Sequence, residues 1–243
     1  MKSVTYCAPS MRIIPQASAE LEWSYLVNET LMGEKAIVPL LGEILRTCPV
    51  GPIFKEAISR QLDEEVEHVL MYFHLVGSEK ISGSGYDTQL KDYVRQLESP
   101  TLKLFALQAM LEGIALGALD HRIKNWEASP STKTDVRAQK DEADHVACAY
   151  PAFLELISFE GKVEPLEFKK VARDVNSFFK QAFSGQVIAG ILGKHTGTSF
   201  DADQIDSSQA MMSFKKVSAQ TLVATRNQFL KSYSEAVNCV KDR

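Results

Sequence analysis

Two Glu-x-x-His pairs, Glu65 with His68 and Glu142 with His145, stand on separate predicted helices, and a further Glu lies upstream of each. The separations match, 31 residues from Glu34 to Glu65 and 30 from Glu112 to Glu142. Residues three apart on a helix share one face, with Cβ atoms about 5–6 Å apart. Each pair therefore offers a carboxylate oxygen and an imidazole nitrogen to a single point. A chain that repeats this unit must bring four helices together around one cluster of polar side chains. One such pair arises easily by chance in a Glu-rich chain, but two on evenly spaced helices do not.

Bundles that hold two iron ions use this set, one Glu from each of two helices and one Glu-x-x-His pair from each of the other two. Glu112 carries most of the argument. In the stretch 104–119, LFALQAMLEGIALGAL, only Gln108 and Glu112 are polar. A helix that is apolar on all sides is a buried helix, and an ionised carboxylate inside it costs several kcal/mol or shifts its pKa unless something compensates it. Metal is the natural compensation, because four carboxylates, two neutral imidazoles and two ferrous ions form a site without net charge.

On the first helix, Glu20, Glu22, Glu29 and Glu34 compete for the remaining position. Glu34 is preferred because its spacing mirrors that of Glu112. It also lies on the stripe of Val27, Leu31, Val38 and Leu41 that is expected to face the core. Glu29 lies on a different face and is expected to be solvated, and it stands second.

The composition favours one domain over residues 1–243, with 45% hydrophobic residues and a net charge of -4. No basic run points to nucleic acid. Cys7, Cys48, Cys148 and Cys239 are scattered without a zinc or rubredoxin-like spacing, as in a cytoplasmic protein with reduced thiols. The N-terminus lacks the apolar core of a secretory signal, and no apolar run is expected to span a membrane.

The pattern predicts an all-α fold, a ferritin-like four-helix bundle over about residues 17–160 with additional helices over about 163–241. Helices are expected at 17–45, interrupted by Pro39, and at 52–76. A short one follows at 87–97, then a buried one opened by Ser99-Pro100-Thr101 and a fourth at 134–159 bent near Pro151. Two more are expected at 165–192 and 207–241. No strand alternation or solenoid repeat is visible. Phe178, Phe179, Phe183, Val187, Ile188, Ile191 and Leu192 are expected to pack between helices, with the wall of an apolar substrate tunnel as the second reading.

With these residues in place, the chain resembles the ferritin-like di-iron carboxylate superfamily, and its soluble bundle oxygenases more than its iron-storage ferritins. Gly33-Glu34, Leu107 to Glu112 and Lys140 to His145 look like the corresponding segments of aldehyde-deformylating oxygenases. The resemblance covers about residues 17–160 and implies that Glu34 and His68 bind one iron, Glu112 and His145 the other, and that Glu65 and Glu142 bridge. Ala138 stands where the superfamily's N-oxygenases carry an extra histidine, which argues against nitro-group chemistry of that design. His74, His121 and His195 fall off the ligand stripes and are expected to be structural or at the surface.

An oxygen and imidazole set suits non-haem iron able to reduce O2, as an Fe/Fe or Mn/Fe pair. The expected function is an oxygenase or oxidase acting on a small, apolar organic substrate. Electrons would come from an external donor, a ferredoxin or reductase, since the chain shows no flavin, haem or iron-sulfur motif. A homodimer is left open. Tyr72, one turn after His68, is the candidate for a further catalytic side chain, and Gln108 and Cys148 lie one turn from expected ligands. The alternatives are a ferroxidase or peroxide scavenger of ferritin or rubrerythrin kind, which would lack an organic substrate, and a metal-free helical interaction protein.

Overall fold

A computed structural model describes residues 15–48, 51–76, 83–125, 131–147 and 149–241. The all-α expectation holds, and no strand occurs among the described residues. The helices are α1 (Pro15–Thr47), α2 (Pro52–Val76), α3 (Tyr86–Gln96), α4 (Pro100–Leu104), α5 (Glu112–Asn125), α6 (Thr132–Ala147), α7 (Ala149–Glu160), α8 (Pro165–Ala182), α9 (Gly185–Thr196), α10 (Ala202–Ser207) and α11 (Gln209–Lys241). A π-helical segment, Phe105–Leu111, joins α4 to α5 without a break in the chain's helical course.

Local chemistry sets several helix starts. Ser99 accepts a hydrogen bond from Leu102 N ahead of Pro100, which opens α4. Glu155 on α7 accepts from the Ile53 and Phe54 amides at 3.2 and 2.8 Å and so caps α2 from outside. The predicted single helix over 165–192 is two helices instead. The break falls at Phe183 and Ser184, where Ser184 accepts from Val187 N and starts α9 as its N-cap. The last predicted helix, 207–241, is found as α11, and the short α10 precedes it in a stretch expected to be a loop.

Helix α1 packs along α2 and α5 along α6, and the two pairs meet through contacts of α2 with α6 and of α1 with α5. The C-terminal helices are not an appendage to this group. Helix α11 runs along α5 and the π segment, and α8 also covers the π segment. One apolar cluster, from Tyr25 on α1 to Val237 on α11, fills the space between them. Phe179, Phe183, Ile188 and Leu192 are buried in it, so the packing expectation for that stretch holds. Residues 100–125 form a helix apolar enough to cross a membrane by length and composition, with mean hydropathy 1.5, contrary to expectation. Its apolar surface faces neighbouring helices instead, since 83% of that window is buried.

Two glycines let α11 approach α5 this closely. A Cβ on Gly113 would overlap Thr225 Oγ1, and one on Gly117 would overlap the Cα of Ser218. In an exposed helix, Gly→Ala gains about 1 kcal/mol. Here the obstruction is backbone, so Gly117→Ala is expected to destabilise by about 1–3 kcal/mol through overpacking. Urea denaturation checks this, and a stabilised variant would contradict the close approach.

Candidate metal centre

Glu34, Glu65, His68, Glu112, Glu142 and His145 come from α1, α2, α5 and α6 and converge in the interior, none more than 3% exposed. They form two overlapping groups that could each hold a metal ion. One comprises Glu34, Glu65, His68 and Glu142, the other Glu65, Glu112, Glu142 and His145, and donor atoms within each lie within 4.8 Å of one another. Glu65 and Glu142 belong to both.

The oxygens are divided between the groups. Glu65 presents Oε2 to His68 Nδ1 at 3.3 Å and Oε1 to His145 Nδ1 at 3.3 Å. Glu142 presents Oε1 to His68 Nδ1 at 3.4 Å and Oε2 to His145 Nδ1 at 3.1 Å. Glu34 approaches only His68, at 4.0 Å, and Glu112 only His145, at 3.6 Å. Two donors each about 2.1 Å from one ion lie roughly 3.0–3.5 Å apart, so most of these spacings suit a common ion at each imidazole.

The donor set passes a second test of fit. Among the described residues, Glu34 Oε2, Glu65 Oε2, His68 Nδ1 and Glu112 Oε2 are buried without a hydrogen-bond partner. Buried polar atoms are ordinarily satisfied, and four orphans around one point match the demand of cations.

Charge balance in the cluster otherwise rests on protons. Burial and then the charges of Glu65 and Glu142 push the Glu34 pKa well above the carboxylate range, and burial with Glu142 and Glu65 does the same for Glu112. For His68, burial opposes the imidazolium, but the Glu142 and Glu65 carboxylates close to Nδ1 push its pKa up to about 10. For His145, burial is likewise overcome by Glu112 and Glu142, and the value rises to about 12. Glu142 moves the other way, because the close approach of Glu112, His145 and His68 outweighs its burial and holds it below the ordinary range.

The far nitrogen of each imidazole is tied to a carboxylate on the opposite helix. His68 Nε2 on α2 lies 3.2 Å from Asp141 Oδ2 on α6, and His145 Nε2 on α6 lies 2.8 Å from Glu64 Oε2 on α2. Such partners fix ring orientation and raise the basicity of the metal-facing nitrogen. The sequence carries a signal for them, since an acid immediately precedes both Glu65 and Glu142. Asp141→Ala or Glu64→Ala is expected to weaken metal binding by about 10–100-fold. Titration against a competing chelator measures the change, and unaltered affinity in both variants would sink the assignment.

A glutamine chain holds Glu112 from the other side. Gln61 Nε2 donates to Glu112 Oε1 at 2.7 Å and lies 3.3 Å from Glu65 Oε1, while Gln108 Nε2 donates to Gln61 Oε1 at 3.2 Å. Gln108 lies in the π segment that ends at Glu112. π-helical turns occur frequently at functional sites. Thr225 Oγ1, on α11, donates to Ala109 O at 2.7 Å within this one.

The remaining candidates lie elsewhere. Glu29 is buried rather than solvated, and it accepts hydrogen bonds from Ser84 N at 2.8 Å and Ser84 Oγ at 2.6 Å. The structure thus brings Glu34 to the cluster and assigns Glu29 to the chain after α2. Tyr72 is outside both groups, donating to Asp135 Oδ1 at 3.1 Å and accepting from Arg122 Nη2 at 3.3 Å. His121 is buried and His74 and His195 are exposed, all apart from the cluster. Cys148, Glu20 and Glu22 lie outside what the structure describes of side chains. Comparison with protein-family models, curated proteins and solved structures yielded no match.

Proposed function

We propose that this chain is a di-iron, O2-dependent oxidoreductase of ferritin-like bundle architecture that oxidises a small, apolar organic substrate. The observation that carries the reading is the division of Glu65 and Glu142 between two histidine-centred groups. Glu34 and His68 would hold one ion, Glu112 and His145 the other, and Glu65 and Glu142 would bridge them. When bound, a pair of ferrous ions supplies two electrons and open coordination positions for O2.

The chain's own part is positional. Asp141 and Glu64 keep Nε2 of each imidazole engaged, so Nδ1 faces the cluster. Gln61 orients Glu112 by a hydrogen bond to Oε1. Burial excludes bulk water from the reacting centre. A separate electron donor, a ferredoxin or reductase, would restore the reduced state.

The test is anaerobic loading with ferrous iron, followed by O2 consumption with a chemical reductant and a panel of apolar substrates. Two ions per chain and reductant-dependent O2 uptake that a substrate alters would support the oxygenase. Iron accumulating far beyond two per chain would favour a ferroxidase. Peroxide turnover without any organic substrate would favour a scavenger, and failure to retain metal would overturn the reading.

A further inference from the structure

Away from the metal cluster, α8 and α11 flank a cavity of about 910 Å³, within the range of small-molecule sites, roughly 300–1,000 Å³. Lys162, Lys169, Arg173, Lys180, Arg226 and Lys241 line it, and no Asp or Glu does. This is one-sided for a chain with a net charge of -4. Lys162 and Arg173 pair with acids close in the chain, Glu164 at 3.8 Å and Asp174 at 3.0 Å. Lys169, Lys180 and Arg226 make no ion pair among the described residues.

Beneath this cationic rim the wall is apolar. Phe105, Met110, Phe168 and Leu222 are buried, and Val223, 45% exposed, stands at the opening. Like charges gathered around an apolar hollow oppose one another, so packing gives no reason for the arrangement. An apolar chain with a negative head satisfies both features at once. The chain takes the wall and the head takes the rim, where long Lys and Arg stems can lie along apolar surface with their charges outward.

We infer that the groove between α8 and α11 is a binding site for a single-chain amphiphile with an anionic head, specifically a long-chain carboxylate. None of the six metal-cluster residues lines it, so it is distinct from the metal centre. The two are neighbours along one helix, because Phe105 and Met110 belong to the π segment that leads into Glu112.

Calorimetric titration with dodecanoate, below its micelle concentration, tests the site directly. Saturable binding of one molecule per chain is expected, with affinity falling by up to roughly fourfold for each methylene removed. The double variant Lys169→Glu, Arg226→Glu should weaken binding at least tenfold. Val223→Trp should weaken it comparably by filling the opening, with circular dichroism confirming that both variants are folded. Dodecyltrimethylammonium binding as tightly as dodecanoate, or equal dodecanoate affinity in all three proteins, would overturn the inference. Adsorption to phosphatidylglycerol vesicles without uptake of monomeric dodecanoate would do so as well. No step depends on metal, so failure here leaves the di-iron reading standing.

Discussion

Glu142→Ala is expected to lose both metal ions, whereas Glu34→Ala is expected to lose affinity at one site and keep the other. The asymmetry follows from the divided oxygens. Glu142 faces both His68 and His145, but Glu34 approaches only His68. Glu65→Ala should behave like Glu142→Ala, and Glu112→Ala like Glu34→Ala. Metal content per chain after anaerobic loading and desalting reads the difference. Equal losses in bridging and terminal variants would contradict the shared-carboxylate arrangement.

The same cluster makes loading pH-dependent. A histidine whose folded pKa is raised stabilises the fold fully below its unfolded value, and that contribution is lost as pH rises through the folded one. For His68 and His145 the loss runs from about 6.5 toward about 10 and about 12. The raised Glu34 and Glu112 act in the same direction from their ordinary value upward, while the depressed Glu142 opposes them. Metal must displace these protons, so affinity falls at low pH and loading releases acid. The rise in melting temperature on adding metal should therefore grow from pH 6.5 to pH 9. A shift independent of pH would mean that ions bind somewhere other than this cluster.

Arg122→Met is expected to destabilise the protein by about 3–5 kcal/mol, lowering the melting temperature by roughly 6–20 °C. Arg122 is 1% exposed, and its guanidinium donates to Asp135 through Nε at 3.2 Å and Nη2 at 2.8 Å. Nη1 donates to Thr30 Oγ1 at 2.7 Å, Nη2 to Tyr72 OH at 3.3 Å, and Ser131 Oγ donates to Asp135 Oδ2 at 2.9 Å. This network joins α1, α2, α5 and the start of α6. Removing the cation alone strands a buried carboxylate. Removing both charges as Arg122→Met, Asp135→Leu should recover much of the loss, because an apolar pair of similar volume does without the desolvation cost. A double-mutant cycle measures the coupling. Additive losses would show that the pair does not act as a unit.

Tyr72→Phe separates structure from chemistry in the same network. It removes two hydrogen bonds to charged groups, one to Asp135 and one from Arg122, each contributing about 1.5–3 kcal/mol. Burial already holds the phenol proton on well beyond its ordinary pKa. If Tyr72 is only a tie, the folded variant retains the wild-type rate of O2 consumption per bound iron pair. A rate lost at full metal content would restore it as a catalytic side chain.

The residues that the sequence by itself determined are those governed by local geometry. Three-residue spacing puts Glu65 with His68 and Glu142 with His145 on common helix faces whatever surrounds them. Glu112 was legible because a lone carboxylate in an apolar helix requires compensation. Helix starts at Pro52 and Pro100 follow from backbone chemistry. Tertiary structure alone decided what lies across helix interfaces. Both Glu29 and Glu34 are buried, and which of them reaches the cluster depends on how α1 is rotated against α2. The pairing of Asp141 with His68 and Glu64 with His145 depends on the offset between α2 and α6. The π segment differs from an α-helix by a shift in hydrogen-bond register that its apolar sequence accommodates either way, and Thr225 from a helix more than 100 residues later binds one of its carbonyls. The Arg122–Asp135 pair and the cationic groove likewise join residues distant in the chain, whose proximity is fixed by packing and not by spacing.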